Sequence, residues 1–404
     1  MRNISVDIFN GKKAIEKPLE IVERKGLGHP DSICDAIMDK VSVNLCSEYL
    51  EKFGTIMHHN IDKGLLVAGS VQGTFGGGRV ISPMKLVFGD RATFRVENTE
   101  VDVKGIAIKT AKDWVQTNLR YVDPEDIIYQ VELRPGSAEL TDIFKRKGQV
   151  LGSNDTSAAV GYAPMSFTET LVFDLEKHLN SFSFKEENPM SGEDVKVMGV
   201  RKGKELQLTV AMPLIDYFVD SEKDYFLIKG ELFDCMQEFV AGYVEQHAPE
   251  MSFSISFNNL DAEDRGLAGI YTTVTGTSAE DADCGEVGRG NRVNGIIPLH
   301  RPVSSEAAAG KNPVSHVGKI YNILSHRIAQ KIFSEVSGVA EAYVWLLSDI
   351  GMPVDSPKIA AAQVIMEHGS VESVQSEISE VIDSELADIL NFSMRLARGE
   401  LSVC

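Results

Sequence analysis

Two kinds of hydrophobic pattern recur along the chain. Short segments rich in Val, Ile, Thr and aromatic residues, bounded by Gly, Asn or Asp, predict β-strands, and longer segments with an apolar helical face predict α-helices. The predicted strands are Thr55–His59, Leu65–Val71, Met84–Phe88, Ile127–Val131, Leu206–Ala211, Met251–Phe257 and Ile270–Thr275. The predicted helices are Asp31–Lys52, Ala107–Leu119, Leu171–Phe182, Gly230–His247, Val317–Val336 and Ser370–Arg398. Because strand clusters are separated by helices, the pattern indicates an α+β fold. The polar segment Lys185–Asp194 is predicted to form a surface loop.

The length of the chain indicates more than one structural unit. At 404 residues it exceeds the roughly 250–300 residues at which a single core stops growing, so we expect two or three subdomains. No apolar run reaches the ~18 residues that span a membrane, and the first residues lack the apolar core of a signal peptide. The five cysteines form no C-x-x-C pair, which is typical of a reducing compartment. We therefore expect a cytoplasmic protein with no membrane partner.

Charge is distributed unevenly along the chain. The formal net charge of −19 argues against a nucleic-acid partner, because binding to a phosphate backbone needs a basic surface. Between Arg289 and Ser334, however, seven cationic residues stand against the single acid Glu306. Such an island favours a small polyanion as the ligand. A solvated basic face is the alternative that charge alone leaves open.

The segment Lys25–Asp31 predicts an anion site at the start of a helix. Two glycines precede the sequence His29-Pro30-Asp31, and Pro and Asp suit the first positions of a helix. The free N–H groups and the dipole of a helix start attract phosphate oxygens.

The helix that follows carries acids on one face. Asp31, Asp35 and Asp39 are spaced four residues apart, so their like charges repel one another. Mg²⁺, which prefers carboxylates together with phosphate oxygens and water, would relieve this repulsion. The alternative is a capped helix whose downstream acids are solvated.

A second candidate tract lies between Gly276 and Tyr321. Three glycines between positions 285 and 290 allow the backbone to approach a ligand closely. Arg289 and Arg292 offer planar forks that match phosphate geometry, and Lys311 offers a point charge. The spacing before Lys311 is wrong for a P-loop, and a pair of basic surface loops is the alternative.

Together these motifs resemble the methionine adenosyltransferase (S-adenosylmethionine synthetase) family, in particular its archaeal branch. The matching stretches run in family order along essentially the whole chain: Glu23–Asp35, His58–Lys63, Ser153–Ser157, Val160–Pro164, Gly192–Gly199, Thr273–Glu280, Gly288–Gly295 and Gly310–Asn322. The resemblance implies that methionine sulfur attacks C5′ of ATP. The released triphosphate would then be hydrolysed to phosphate and diphosphate. An uncharged thioether needs no activating base, which agrees with the lack of an evident nucleophile triad.

The resemblance also implies roles for individual residues. His29 would lie near the ribose O5′, Asp31 would hold Mg²⁺, and Lys196 would contact phosphate. Arg289 and Lys311 would clamp the triphosphate. Four further residues are implied in ATP, methionine or metal binding: Asp155, Asp283, Arg292 and, for a metal, Asp62. The implied cofactors are Mg²⁺ and K⁺.

The fold that the resemblance implies is α+β, with three similar αβ subdomains around a pseudo-threefold axis. Their approximate ranges would be 1–135, 136–260 and 261–404 of a single synthetase unit. Two chains would pair through their sheets to form a homodimer, and dimers of this family often associate further.

Two other functions remain open from the sequence. One is a triphosphatase or nucleoside transferase that uses the same anion site with a different acceptor. The other is a non-catalytic relative that acts as a binding or assembly subunit.

Overall fold

A computed structural model describes residues 2–137, 144 and 150–403 and has an α+β fold. The helices are α1 (Pro30–Phe53), α2 (Val103–Asn118), α3 (Phe167–Leu179), α4 (Phe182–Glu187), α5 (Glu222–His247), α6 (Val317–Glu335), α7 (Val371–Ala387) and α8 (Ile389–Ala397). The strands are β1 (Ile4–Ile8), β2 (Leu19–Lys25), β3 (His59–Val67), β4 (Ser70–Gln72), β5 (Arg79–Ser82), β6 (Met84–Ala92), β7 (Arg95–Val96), β8 (Thr99–Glu100), β9 (Ile127–Val131), β10 (Ala158–Ala163), β11 (Lys196–Lys202), β12 (Glu205–Ala211), β13 (Leu214–Ile215), β14 (Ser252–Phe257), β15 (Thr272–Thr273), β16 (Gly285–Glu286), β17 (Ile297–Pro298), β18 (Val339–Leu347) and β19 (Ile359–Met366).

Three larger sheets, each backed by its own hydrophobic cluster, organise these elements. Their strand orders are β1-β19-β18-β10, β14-β12-β11-β2-β17 and β16-β3-β6-β9. Helices α6 and α7 pack on the first sheet, α3 on the second and α1 on the third. Strands from distant parts of the sequence meet in these sheets; β1, for example, pairs in parallel with β19. Across the part of the chain that the structure describes, no helix combines the length and apolar character needed to cross a bilayer.

Helix α1 forms because local signals and packing agree. His29 caps its amino terminus, Pro30 occupies the first turn, and Gly54 ends it with a left-handed φ of 69°. Apolar residues four positions apart, from Ile33 to Leu45, are buried against the third sheet. These features explain why the predicted helix Asp31–Lys52 agrees with the structure within two residues at each end.

The other predicted helices are confirmed in position, with corrections at their ends. Helix α5 already begins at Glu222 rather than Gly230. The predicted helix Ser370–Arg398 is interrupted at Asp388, which separates α7 from α8.

The strand predictions were less complete. Strand β9 has the predicted bounds, but only His59 of the predicted strand Thr55–His59 is in a strand, and β15 covers only two residues of Ile270–Thr275. The pattern also missed β2 and β11. Charged residues occupy inward-facing positions of both strands, including Glu20 and Arg201, so the hydrophobic alternation is broken.

Those inward-facing charges belong to a cluster between the first two sheets, which we call the ionic core: Glu20, Glu169, Arg201, Arg301 and Glu341. Arg201 Nε lies 2.6 Å from Glu20 Oε2. Arg301 lies 3.0 Å from Glu169 and 3.2 Å from Glu341. All five residues are buried.

The prediction of a surface loop at Lys185–Asp194 was wrong. Helix α4 covers its first residues, and Lys185, Glu193 and Asp194 are buried. The polar side chains find partners inside: Lys185 Nζ donates to the carbonyl of Gly192 at 2.7 Å, and Arg120 forms an ion pair with Glu193.

Candidate active site

The amino terminus of α1 is held against the loop that leads into β11. The Gly26 N–H donates to the carbonyl of Val195 at 2.6 Å, and the Gly28 N–H donates to the carbonyl of Glu193 at 2.9 Å. A Cβ atom on Gly28 would lie 2.5 Å from the backbone of Glu193. Glycine is therefore required at position 28, and the close approach brings His29 beside Asp194.

His29 is fixed in one orientation by the helix that it caps. Its Nδ1 accepts a hydrogen bond from the Asp31 N–H at 3.2 Å, so in the neutral ring the proton is on Nε2. Burial lowers the pKa of His29, and the charge of Asp194 only partly opposes this effect. The neutral imidazole can therefore donate from Nε2 to a ligand.

The acidic face of α1 binds the backbone of the tract Gly276–Tyr321, which we call the glycine-rich tract. Asp31 Oδ1 accepts from the Glu286 N–H at 2.8 Å, and Asp35 Oδ1 accepts from the Gly288 N–H at 2.8 Å. Asp39 Oδ1 accepts from the N–H of Gly310 at 3.2 Å. The alternative of solvated acids was therefore wrong: these carboxylates join the two sequence motifs into one site.

Burial of this face changes the charge balance along α1. Asp31 is paired with Lys25 at 2.8 Å, and Asp39 with Lys319 at 2.6 Å. Asp35 has no such cation among its described contacts, and burial raises its pKa to about 7. Repulsion among the three acids is thus relieved by two lysines and by backbone donors.

Lys311 lies at the far end of the same face and is nearly buried. Its Nζ lies 2.9 Å from Asp62 and 3.4 Å from Glu306. Burial would raise the pKa of Asp62, but Lys311 and Lys63 hold it well below its usual range. Asp62 is therefore an ionised partner of two lysines.

Lys196 begins β11 and points to the same side of its sheet as Lys25, its directly opposite partner on β2. Lys196 Nζ lies 3.2 Å from Glu23 and its side chain is 41% exposed. Lys25 Nζ donates to the Arg289 carbonyl at 2.6 Å, so the lysine directly opposite Lys196 contacts the glycine-rich tract.

The remaining predicted residues surround this cluster at different distances. Arg289 and Asp283 are exposed, and the charge of Asp283 is close enough to contribute to the raised pKa of buried Asp194. Arg292 lines a small cleft together with Asp35 and Glu306.

Asp155 is joined to the cluster only indirectly. Its carboxylate accepts the N–H of Thr156 at 2.7 Å. The same loop reaches the cluster through Ser157, whose hydroxyl lies 3.1 Å from Glu306, itself the partner of Lys311.

The basic island of the sequence is not one surface. Arg301 is part of the ionic core, Lys319 pairs with Asp39, and Arg327 and Lys331 pair with Glu385. The alternative of a solvated basic face was wrong for Arg301 and Lys319, which are buried, and the idea that the whole island serves a ligand was wrong as well. Arg289, Arg292 and Lys311 remain as its candidates for anion binding.

Sequence reasoning missed Lys25, Asp194 and Lys319 as members of the cluster. Lys25 and Asp194 lie within the matched motifs, but no spacing signal distinguished either of them as a functional residue. Lys319 lies on the face of α6 that meets Asp39, a contact between residues 280 positions apart. Only the fold brings such pairs together.

The described side chains do not form a complete metal site by themselves. Within residues 2–137, 144 and 150–403, no group of three or more His, Cys, Asp or Glu side chains could hold a metal ion. The hard carboxylate oxygens of Asp31 nevertheless fit Mg²⁺, which commonly takes one or two carboxylates and completes its shell with phosphate oxygens and water. The donor set therefore fits a magnesium–polyphosphate complex better than a free ion.

Fold and site together define an α+β protein with a cation-lined helix start. The family model described as S-adenosylmethionine synthetase (AdoMet synthetase) matches residues 2–400. The chain is 42% identical over 403 residues to the S-adenosylmethionine synthase of Methanothermobacter marburgensis, covering 99% of both chains. It is 44% identical over 411 residues to the synthase of Methanocaldococcus jannaschii, covering 100% of both. The chain belongs to the S-adenosylmethionine synthetase family.

A solved structure agrees with this fold. It is described as an unusual S-adenosylmethionine synthetase from Campylobacter jejuni, and it superposes with a TM-score of 0.62 at 16% identity, covering 95% of each chain. At that identity the likeness concerns the fold.

Proposed function

We propose that this enzyme is a methionine adenosyltransferase that makes S-adenosylmethionine from ATP and L-methionine. The methionine sulfur uses a lone pair to form a bond to C5′ of ATP, and the C5′–O bond breaks with its electron pair going to the triphosphate. Water then cleaves the triphosphate to phosphate and diphosphate. The observation that carries the proposal is the docking of the α1 acids on the glycine-rich tract, which unites His29 with the cations of both motifs.

His29 has the geometry for assisting the leaving group. Its Nδ1 is occupied by the Asp31 N–H, so Nε2–H is the donor available to the ribose O5′. A lowered pKa keeps the ring neutral. A fixed donor of this kind stabilises charge that develops on O5′ in the transition state.

The cations receive the charge of the departing triphosphate. Lys196, Arg289 and Lys311 are the proposed phosphate contacts, with Arg292 at the edge of the cleft. Asp283 and Asp155 are proposed to bind the adenosine or methionine portions. Arginine suits bidentate contacts with phosphate, whereas lysine supplies a mobile point charge.

Asp31 is the proposed Mg²⁺ residue, and the family also implies K⁺. Bound Mg²⁺ would supply neutralisation of the phosphate charge. For Asp62 the contacts favour a different role from the metal ligand first expected. Two lysines already neutralise it, so we propose that Asp62 holds Lys311 in position.

The assembly that the family implies is also proposed for this chain. Three αβ units, roughly 1–135, 136–260 and 261–404 with strands exchanged between them, would surround a pseudo-threefold axis and pair through sheets as a homodimer, with dimers able to associate further. Support comes from the three sheets, each backed by a separate hydrophobic cluster. The free cysteines Cys34, Cys46, Cys235 and Cys284 agree with a proposed cytoplasmic location.

A steady-state assay tests the reaction. Product is measured by mass spectrometry with ATP in the presence and absence of methionine, and phosphate release is measured in parallel. We expect the sulfonium product and methionine-dependent phosphate release. Phosphate release that is indifferent to methionine, with no sulfonium product, would support the triphosphatase alternative.

Two variants distinguish a catalytic enzyme from a non-catalytic relative. His29→Asn keeps an oxygen that can cap α1 but removes the imidazole donor, so turnover should fall at least ~100-fold while the fold is retained. Lys202→Met, at the opposite end of β11 from Lys196, is the matched control and should keep full turnover. If wild-type protein binds ATP but neither it nor the control turns over, the chain is a non-catalytic relative.

A further inference from the structure

Lys25 lies at the centre of the candidate site. Its Nζ lies 2.8 Å from Asp31 Oδ2 and donates to the carbonyl of Arg289 at 2.6 Å. Its side chain is only 12% exposed. One lysine therefore contacts both the proposed Mg²⁺ residue and the backbone of the proposed phosphate clamp.

The backbone of Lys25 is fixed as firmly as its side chain. The side chain of Asn291 accepts from the Lys25 N–H at 2.9 Å and donates to the Lys25 carbonyl at 2.7 Å. This amide continues the ladder that β17 forms with β2. The loop that carries Arg289 is thereby held in a fixed register relative to Lys25.

Lys25 also faces a second lysine. Lys25 and Lys196 are direct partners in the antiparallel pairing of β2 with β11, and side chains at such positions project from the same side of the sheet. Like charges directly opposite each other are destabilising. Each ammonium is balanced by its own acid, Asp31 for Lys25 and Glu23 for Lys196.

We propose that Lys25 is a further phosphate-binding residue, which exchanges its contact with Asp31 for the triphosphate when the nucleotide binds. The proposal rests on the proposed function, because it assigns Lys25 to the polyanion of that reaction. The ammonium groups of Lys25 and Lys196 face the same side of the sheet, so one multivalent anion can bind both at once, whereas each carboxylate binds only one. The flexible side chain of lysine allows Lys25 to exchange one partner for the other.

The exchange has a consequence for Asp31. Its Oδ1 keeps the hydrogen bond from the Glu286 N–H, while Oδ2, the atom now paired with Lys25, becomes free. A free carboxylate oxygen beside phosphate oxygens is the environment that Mg²⁺ prefers. In the absence of nucleotide, Lys25 competes with the metal for this oxygen.

Lys25→Met tests both parts of the proposal by isothermal titration. The variant should bind inorganic tripolyphosphate about tenfold more weakly than wild type in the presence of a chelator, because a charged donor is lost. It should bind Mg²⁺ alone at least as tightly as wild type, because the competing ammonium is absent. A residue that only stabilises the local fold would weaken both ligands or neither.

Control variants keep the outcome interpretable. Lys202→Met removes a lysine from the far end of β11 and should change neither titration, and Lys25→Arg should retain most of the tripolyphosphate affinity. If Lys25→Met is unfolded by circular dichroism, Lys25→Gln replaces it in both titrations. Weaker tripolyphosphate binding, with Mg²⁺ binding at least as tight as in wild type, supports the exchange, whereas wild-type tripolyphosphate affinity overturns it.

Failure of this proposal is distinct from failure of the proposed function. Lys25→Met with wild-type tripolyphosphate affinity overturns the role of Lys25. If Arg289→Met loses affinity in the same experiment, the triphosphate site and the reaction still stand. If neither wild type nor any variant binds tripolyphosphate, the proposed function itself is wrong.

Discussion

The ionic core and the candidate active site are both built from acid–base pairs, but they differ in what surrounds the charges. In the ionic core, Arg301 and Glu169 have side chains that are 0% exposed, and each contacts further protein groups. In the candidate site, the Lys196 side chain is 41% exposed and Arg289 is open to solvent. The presence of acid–base pairs alone therefore does not identify a functional site. A charge that is fully enclosed by fixed protein partners serves the fold. A cation that faces solvent, or that can exchange its carboxylate partner for phosphate as proposed for Lys25, can serve a ligand.

The first prediction breaks the ionic core. Arg301→Met removes the guanidinium and leaves Glu169 and Glu341 buried without their main cation, which should lower the free energy of unfolding by about 3–5 kcal/mol. Urea denaturation followed by circular dichroism measures this change. Arg79→Met, at an exposed arginine that contacts Gln72, is the control and should change stability by less than about 0.5 kcal/mol. Equal stability of the two variants would contradict the structural role.

The second prediction concerns the accessible part of the candidate site. Arg289→Met should reduce kcat/KM at least ~100-fold, as loss of a transition-state donor does. Its free energy of unfolding should change by less than about 0.5 kcal/mol, because the side chain is exposed. Lys311→Met is the informative contrast: its ammonium is buried beside Asp62, so both turnover and stability should fall. A stability loss for Arg289→Met as large as that for Lys311→Met would erase the distinction.

The third prediction concerns Lys185, a buried lysine that lies outside both the ionic core and the candidate active site. Lys185 donates to main-chain carbonyls, and burial lowers its pKa from 10.5 to about 7. Between these two values the unfolded chain holds more protons than the folded chain, so the contribution of Lys185 to stability rises with pH across this window.

Lys185→Met should remove that contribution. The stability difference between wild type and variant should change by about 2 kcal/mol over two pH units inside the window. Urea denaturation at several pH values measures it. Lys112→Met, at an exposed residue paired with Glu125, should run parallel to wild type. Parallel curves for Lys185→Met as well would mean that Lys185 titrates normally.

The difference between the two regions also explains which helices and strands could be predicted from the sequence. Helix α1 was predictable because its cap, its proline and its apolar face agree locally. Strands β2 and β11 were not, because the ionic core places Glu20 and Arg201 where a pattern of apolar residues would be expected. Their partners, such as Thr168 for Glu20, are distant in sequence.

For the site, the sequence supplied residue types that suit a polyphosphate, and family resemblance supplied their proposed roles. His29 and Arg289 stand in recognisable motifs, and the structure brings those motifs together through Asp31 and Asp35. Which basic residues are already neutralised could not be predicted. The pairing of Arg301 with Glu169 and of Lys319 with Asp39 depends on contacts between separate elements, which no local pattern in the sequence reveals.

The last prediction joins the two regions. Asn294, in the loop of Arg289, donates to the Tyr162 hydroxyl at 2.8 Å, and that hydroxyl donates to Glu169 of the ionic core at 2.9 Å. A double-mutant cycle with Tyr162→Phe and Asn294→Ala should give a coupling energy of about 1 kcal/mol in urea denaturation. Asn294→Ala should also lower kcat/KM by about threefold to tenfold, because the loop of Arg289 loses an anchor. In the Tyr162→Phe background, Asn294→Ala should have a smaller effect on kcat/KM, since the hydrogen bond from Asn294 to the Tyr162 hydroxyl is already absent. Strict additivity in both measurements would mean that the ionic core and the loop of Arg289 are independent of each other.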